Sequence, residues 1–334
     1  MASERWRRAL RGDPLPWLLE PEDPAIRHLA LTQLLDEPDD APAVRRARAT
    51  AMRTDPIASI LAAQDPAGWW VRPGARYGPK YRGWFWSLIF LEQMGADPRD
   101  RRVQRACAYL LEHGQAPSGG FGWATTDSSV PHCLTGDLIR SLIAFGHLDD
   151  DRVRRAIAWE AGAITGEGHE RWYPGSTSAP GFACGVNGGL PCGWGAIKAM
   201  RGLAAIPPRR RTAAVRLAID VGIRFLLDHD LSTGAFPTGT TVSRRWTQLG
   251  FPLGFVADAL QGLEVLVELG HGRDPRLAPT VDLVLSKQDA QGRWQNGYPY
   301  RGKLWAEVDR PGRPSKWVTL RACRALRGAI GGPR

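Results

Sequence analysis

Gln64-Asp65-Pro66-Ala67-Gly68-Trp69-Trp70 returns far along the chain as Gln288-Asp289-Ala290-Gln291-Gly292-Arg293-Trp294. Gln115 to Phe121 and Asp230 to Phe236 share the plan: a Gln or Asp, a glycine four positions on, and an aromatic two beyond it. Each marker follows an amphipathic helical run, such as Val103, Cys107, Leu110 and Leu111, or Val215, Ile219, Ile223, Leu226 and Leu227. A third run, Val153 to Ile164, ends near Gly168 and Trp172 without the Gln. The period of about 50–60 residues marks a repeat architecture. Between the markers lie more apolar helical runs, beginning near Trp84, Cys133, Cys192, Phe251 and Lys316. Each unit therefore reads as a polar helix, a Gly/aromatic turn, a long loop and a buried helix. Five to six such hairpins bury their apolar helices best by closing into a ring. The expected fold is all-α, an (α/α) toroid. Residues 1–334 read as one domain, with residues 1–40 a helical preamble packed on it.

Composition narrows the function classes. The 334 residues are 43% hydrophobic with 14 Trp, which predicts a packed globular chain. No run of about 18 apolar residues is present, and the N-terminus lacks the apolar core of a signal peptide, so a cytoplasmic protein without a transmembrane segment is expected. Five cysteines, Cys107, Cys133, Cys184, Cys192 and Cys323, make no disulfide framework in that setting. The net charge is +10, from 44 basic and 34 acidic residues. Its arginines are scattered along helical faces, and Arg209-Arg210-Arg211 is the one dense run, so no nucleic-acid partner is expected. The positive field suits an anionic substrate such as a diphosphate.

Three cysteines stand apart. Cys133 and Cys192 open two apolar helical runs, and Cys184 lies in the Gly-rich approach to the second. Helix starts present free N–H groups and a positive dipole end, which favour thiolate. Cys133, Cys184 and Cys192 are therefore expected to bind one zinc ion, with His132, a water or a substrate thiol in the fourth position. The plain alternative makes them small buried hydrophobes, which suits Cys107 and Cys323.

The Gln-x-x-x-Gly-x-Trp segments at 64–70 and 288–294 resemble the repeat of the squalene cyclase and protein prenyltransferase superfamily. The resemblance covers roughly residues 40 to 330. It implies that Gln and Trp brace the outer ring, and that the site lies in a central cavity at one mouth. In the prenyltransferase β-subunits it implies a catalytic zinc held by Asp, Cys and His at inner-helix starts, a prenyl diphosphate substrate and a helical partner subunit; the sequence leaves the partner open. The chain departs from both branches. Position 131 is Pro, so no Asp-x-Cys surrounds Cys133, and the Asp-x-Asp-Asp of the cyclases is missing. Asp149-Asp150-Asp151 is read as the start of an outer helix.

Two carboxylates are candidate acids. Asp137 lies one turn after Cys133, as a partner to a ligand, a general acid or base, or a first-turn acid. Asp258 sits within an apolar run and needs a partner or a raised pKa, as a cavity acid or paired with an Arg. Trp84, Trp86, Trp194, Trp246, Phe251 and Trp317 are expected to line the cavity for an isoprenoid or carbocation. Arg245 and Lys316, in basic loops before inner helices, are expected to meet a diphosphate. The expected function is a zinc enzyme of the terpenoid cyclase or prenyltransferase kind acting on an isoprenoid or similar apolar substrate. The alternatives are a non-catalytic scaffold with a structural Cys cluster, and a metal-free cyclase using Asp258 or Asp137 as acid.

Overall fold

A computed structural model describes residues 5–74, 76–168, 180–236, 243–310 and 312–331. Trp172 lies outside them. The helices are α1 (Leu15–Leu18), α2 (Pro24–Leu34), α3 (Pro42–Ala51), α4 (Ile57–Ala62), α5 (Trp84–Gln93), α6 (Arg101–His113), α7 (His132–Ala144), α8 (Asp151–Thr165), α9 (Gly193–Ala204), α10 (Ala213–Leu227), α11 (Ala259–Glu268), α12 (Ala278–Ser286) and α13 (Lys316–Ile330). Two-residue strands β1 (Trp294–Gln295) and β2 (Pro314–Ser315) pair antiparallel.

The helices form two concentric layers. On the inside, α5 packs on α7, α7 on α9, α9 on α11, α11 on α13 and α13 on α2. Gly95, just past α5, abuts Leu29 and His28 of α2 and completes the circuit. Outside, α3 backs α2, α6 backs α5, α8 backs α7, α10 backs α9 and α12 backs α11. This is the all-α toroid the repeat predicts. The split follows composition: α5 is buried from Trp84 through Leu91, whereas α6 buries only Val103, Ala106, Cys107, Leu110 and Leu111.

The marker turns hold neighbouring units together. Gln64 Nε2 donates to the Arg102 carbonyl in the first turn of α6 (2.9 Å), and Gln115 Nε2 to the Arg152 carbonyl of α8 (2.7 Å). The last marker is followed by the inner helix α13. Its Gln288 Oε1 instead accepts from the Arg11 backbone N–H (2.8 Å), so the N-terminal segment closes the ring. Trp70 and Trp294 are fully buried, each donating its indole N–H to a carbonyl of the preceding helix, Ile60 and Val284 (2.7 Å each).

The centre of the ring holds ions. Arg201 of α9 donates to Glu92 of α5 (2.9 Å) and Asp137 of α7 (3.0 Å), and Arg140 of α7 to Glu92 (3.1 Å) and Glu268 of α11 (3.0 Å). Neither α5 and α9 nor α7 and α11 are neighbours in the circuit, so the Arg201–Glu92 and Arg140–Glu268 bonds cross its middle. Lys198 Nζ adds bonds to Asp137 (2.8 Å) and the Gly254 carbonyl (2.6 Å). Buried charges persist only when paired, and here Glu92 and Asp137 each meet two cations. The expected aromatic lining of the axis is thus replaced, at this level, by a polar network.

Candidate active site at the mouth

The loops before the inner helices gather at one end of the ring, and two cavities open there. The first, about 600 Å³, is lined by Tyr77, Trp123, Val186 and Phe255, by Arg72 and Arg76, and by the Cys133 thiol. Trp123 is 41% exposed and Val186 75%, so apolar side chains stand open to solvent at its rim. Phe255 carries the Lys80 ammonium over its face (3.7 Å) and Trp194 against its edge (5.3 Å). Trp86 braces Tyr77 from behind, donating its indole N–H to the Tyr77 carbonyl (2.8 Å). Arg76 lies over the Trp84 ring and donates to the His113 carbonyl, while its buried Nη1 has no partner among the described residues. Burial lowers the pKa of this guanidinium, and that of Lys80.

Behind Cys133 the other cysteines are placed by a tight hairpin. Ala183 bridges Pro191, with Cys184 N–H bonded to the Leu190 carbonyl (3.0 Å) and Cys192 N–H to the Phe182 carbonyl (2.8 Å). Cys184 and Cys192 therefore sit diagonally on one face of the hairpin. The Cys184 thiol is pulled down to about 6 by its hydrogen bond with Cys192, against burial, with help from the backbone N–H groups of Asn187 and Val186. The same bond, then burial, pushes Cys192 up, although Cys192 caps α9 by accepting from Gly195 N–H (3.4 Å). Burial pushes Cys133 to about 12 despite its place at the start of α7. The expected thiolate preference at both helix starts is therefore reversed, because loss of water outweighs the dipole.

His132 is tied to the outer layer. Its Nδ1 meets Glu160 Oε1 of α8 at 2.7 Å, both side chains being buried. Burial raises the Glu160 carboxyl above its usual range, with His132 opposing. Such a carboxylate-backed imidazole is a common arrangement behind a metal. Among the described residues, however, no three His, Cys, Asp or Glu side chains converge closely enough to hold a metal ion. The described donors do not by themselves fit the expected zinc.

The candidate acids are engaged elsewhere. Asp137 accepts from Lys198 and Arg201, one on each oxygen. Asp258 is the N-cap of α11, fully buried; it accepts from Gln261 N–H (2.7 Å), Gly250 N–H (3.0 Å) and the Tyr298 hydroxyl (2.6 Å), and pairs with Arg321 (3.1 Å). It joins loops to helix and does not face a cavity. Four expected cavity aromatics also pack the body of the protein. Trp84 faces Tyr109 of α6, Trp246 packs on Phe236, and Phe251 stacks flat on Trp317 at 4.3 Å. Lys316 is bound by Glu20 and Asp23 (2.7 and 2.6 Å). Arg245 lines the second mouth cavity, while Trp86 and Trp194 support the first. The sequence reading passed over Arg72, Arg76, Val186 and Phe255 as site residues. Their signal was positional, since each lies in a segment between a marker turn and an inner helix.

No family model matches the sequence, and no curated protein matches it. Among solved structures, the apo type II terpene cyclase MstE from Scytonema is 15% identical, over 82% of this chain and 95% of that one, with a TM-score of 0.31. A variant of MstE in complex with its substrate geranylgeranyl dihydroxybenzoate is 15% identical over the same shares, with a TM-score of 0.29. A protein from Actinoplanes is 15% identical over 84% of this chain and 99% of that one, with a TM-score of 0.30.

Proposed function

We propose that this chain is an enzyme of the terpene cyclase or prenyltransferase kind, acting at the mouth of its ring on an isoprenoid or similar apolar molecule. The observation that carries this reading is the cavity of about 600 Å³ between Tyr77, Trp123, Val186 and Phe255. Aromatic faces suit both an unsaturated hydrocarbon and a cationic intermediate. The unpartnered Arg76 Nη1 supplies a donor for an oxygen-bearing head group. The reading is tested by titrating the protein with farnesol while following tryptophan fluorescence, then analysing the extract by gas chromatography and mass spectrometry. Saturable binding that weakens in Trp123→Ala, with a converted product, supports it. No binding removes it, and binding with the alcohol returned unchanged favours the scaffold reading.

Zinc belongs to a second reading, favoured by the Cys184–Cys192 pair and the Glu160-backed His132. Cys184 and Cys192 would supply two of its ligands. When bound, zinc would supply thiolate activation or a structural clasp on the loop. Elemental analysis should then find about one zinc per chain, reduced in Cys184→Ser and Cys192→Ser and kept in Cys107→Ser. No zinc in protein purified without chelator would end this reading.

A further inference from the structure

Among the described residues, four Lys or Arg are buried: Arg76, Lys198, Arg201 and Arg321. Three of them sit against carboxylates. Lys198 and Arg201 meet Asp137, and Arg321 meets Asp258 and Glu264. Arg76 meets none among the described residues. Its Nη2 goes to the His113 carbonyl, its Cζ lies over the Trp84 ring at 5.9 Å, and its Nη1 has no partner there. Arg76 lines the thiol cavity, and no described Asp or Glu lines it as well. A guanidinium stays charged at neutral pH, and a buried charge without a counter-charge is costly. An anion entering the cavity relieves that cost.

The polarity of this cavity runs inward. Arg76 is 8% exposed, whereas Trp123 and Val186 at the rim are 41% and 75% exposed. Tyr77 and Phe255 add further apolar wall. A ligand matching this order is charged at its inner end and apolar along the rest. One buried cation with one free nitrogen calls for one compact, singly charged acceptor, and a carboxylate is such a group. A diphosphate would bring more charge than Arg76 neutralises, and burying the surplus is costly. We propose that the cavity takes a long-chain carboxylic acid of the fatty-acid type. Its carboxylate accepts from Arg76 Nη1, and its chain lies against Tyr77, Phe255 and Trp123. This rests on the reading that an apolar molecule enters the cavity, and it names the head group that molecule carries.

The test is calorimetric titration of the full chain at neutral pH with decanoate, decan-1-ol and geranyl diphosphate. Decanoate should bind roughly tenfold more tightly than decan-1-ol, the effect of one charge-assisted contact. It should also bind more tightly than geranyl diphosphate. Arg76→Gln should bring decanoate down to the level of the alcohol while the alcohol's own affinity stays the same, which shows the cavity intact. Arg76→Lys, which keeps the charge, should keep part of the preference. Should Arg76→Gln fail to fold, the comparison of acid with alcohol on the unaltered chain still decides. Decanoate binding no more tightly than decan-1-ol overturns the proposal and leaves the apolar-ligand reading standing. So does tighter binding of geranyl diphosphate, or a preference for decanoate that survives in Arg76→Gln. No binding of any of the three removes both.

Discussion

Cys184 is the residue whose chemistry departs most usefully from its type. Two backbone N–H groups and the Cys192 thiol stabilise its thiolate, and a hairpin fixes that geometry. Thiolate is the nucleophile, so its reactivity should follow its own titration. In chelator-treated protein, alkylation of Cys184 by iodoacetamide should rise with a midpoint near its value of about 6 and be level by neutral pH. Cys107 and Cys133, both pushed to about 12, should stay unmodified at neutral pH. Peptide mapping across pH reads all three, and a Cys184 midpoint at the ordinary value of 9.0 would contradict the account. The helix starts beside Cys133 and Cys192 were legible from apolar spacing. The depth of each thiol was not, because burial comes from neighbours that sequence spacing does not place.

At the scale of elements, the marker turn is the most sequence-legible feature. Gln64 and Gln115 make matching bonds 38 and 37 residues ahead, as their matching sequences imply. Gly68 adopts φ 105° and lies so near the Arg105 carbonyl that a Cβ would come within 2.6 Å, which explains the invariant glycine of the four turns. Trp70→Ala should cost about 3–5 kcal/mol in denaturant unfolding, since it empties a buried site and orphans the Ile60 carbonyl; a loss under about 1 kcal/mol would show the turn to be dispensable. The α7–α9 pair has its own requirement. A Cβ on Gly136 would sit 2.3 Å from the Lys198 carbonyl oxygen, so Gly136→Ala must push the two helices apart. That should cost at least about 1–3 kcal/mol, as overpacking does, and lower the melting temperature. The start of α11 was misplaced by eight residues, at Phe251 instead of Ala259. The apolar run 251–257 looks helical by content but is buried loop, ended by the Asp258 cap. A second repeated signal went unread: Asp100 with Arg102, Asp150 with Arg152 and Asp274 with Arg276 each join a capping carboxylate to a guanidinium.

For the whole molecule, the ring was legible and the filling of its axis was not. Glu92, Arg140, Arg201 and Glu268 look like ordinary amphipathic-helix charges, and only closure aims them at one another. Burial works to raise Glu92 and Glu264, the latter on α11 facing Arg321 and Arg324 of α13, and the facing arginines overcome it, holding both below the ordinary 4.5. A depressed carboxylate contributes stability above its unfolded pKa and loses it as pH falls through its folded pKa. The protein should therefore lose stability from about pH 4.5 downward. In Glu92→Gln this acid-dependent part should shrink, as urea unfolding at pH 7 and pH 3.5 would show; an unchanged difference would mean the network carries no pH-linked stability. With its axis occupied by ion pairs, the ring has its open apolar surface at the mouth, and the central claim is that ligand binds there. Hydrogen exchange with and without farnesol tests this most directly. The account predicts protection in residues 70–83, 122–131, 182–192 and 251–258; protection confined to the middle of α7 and α9, or none at all at saturating ligand, would contradict it.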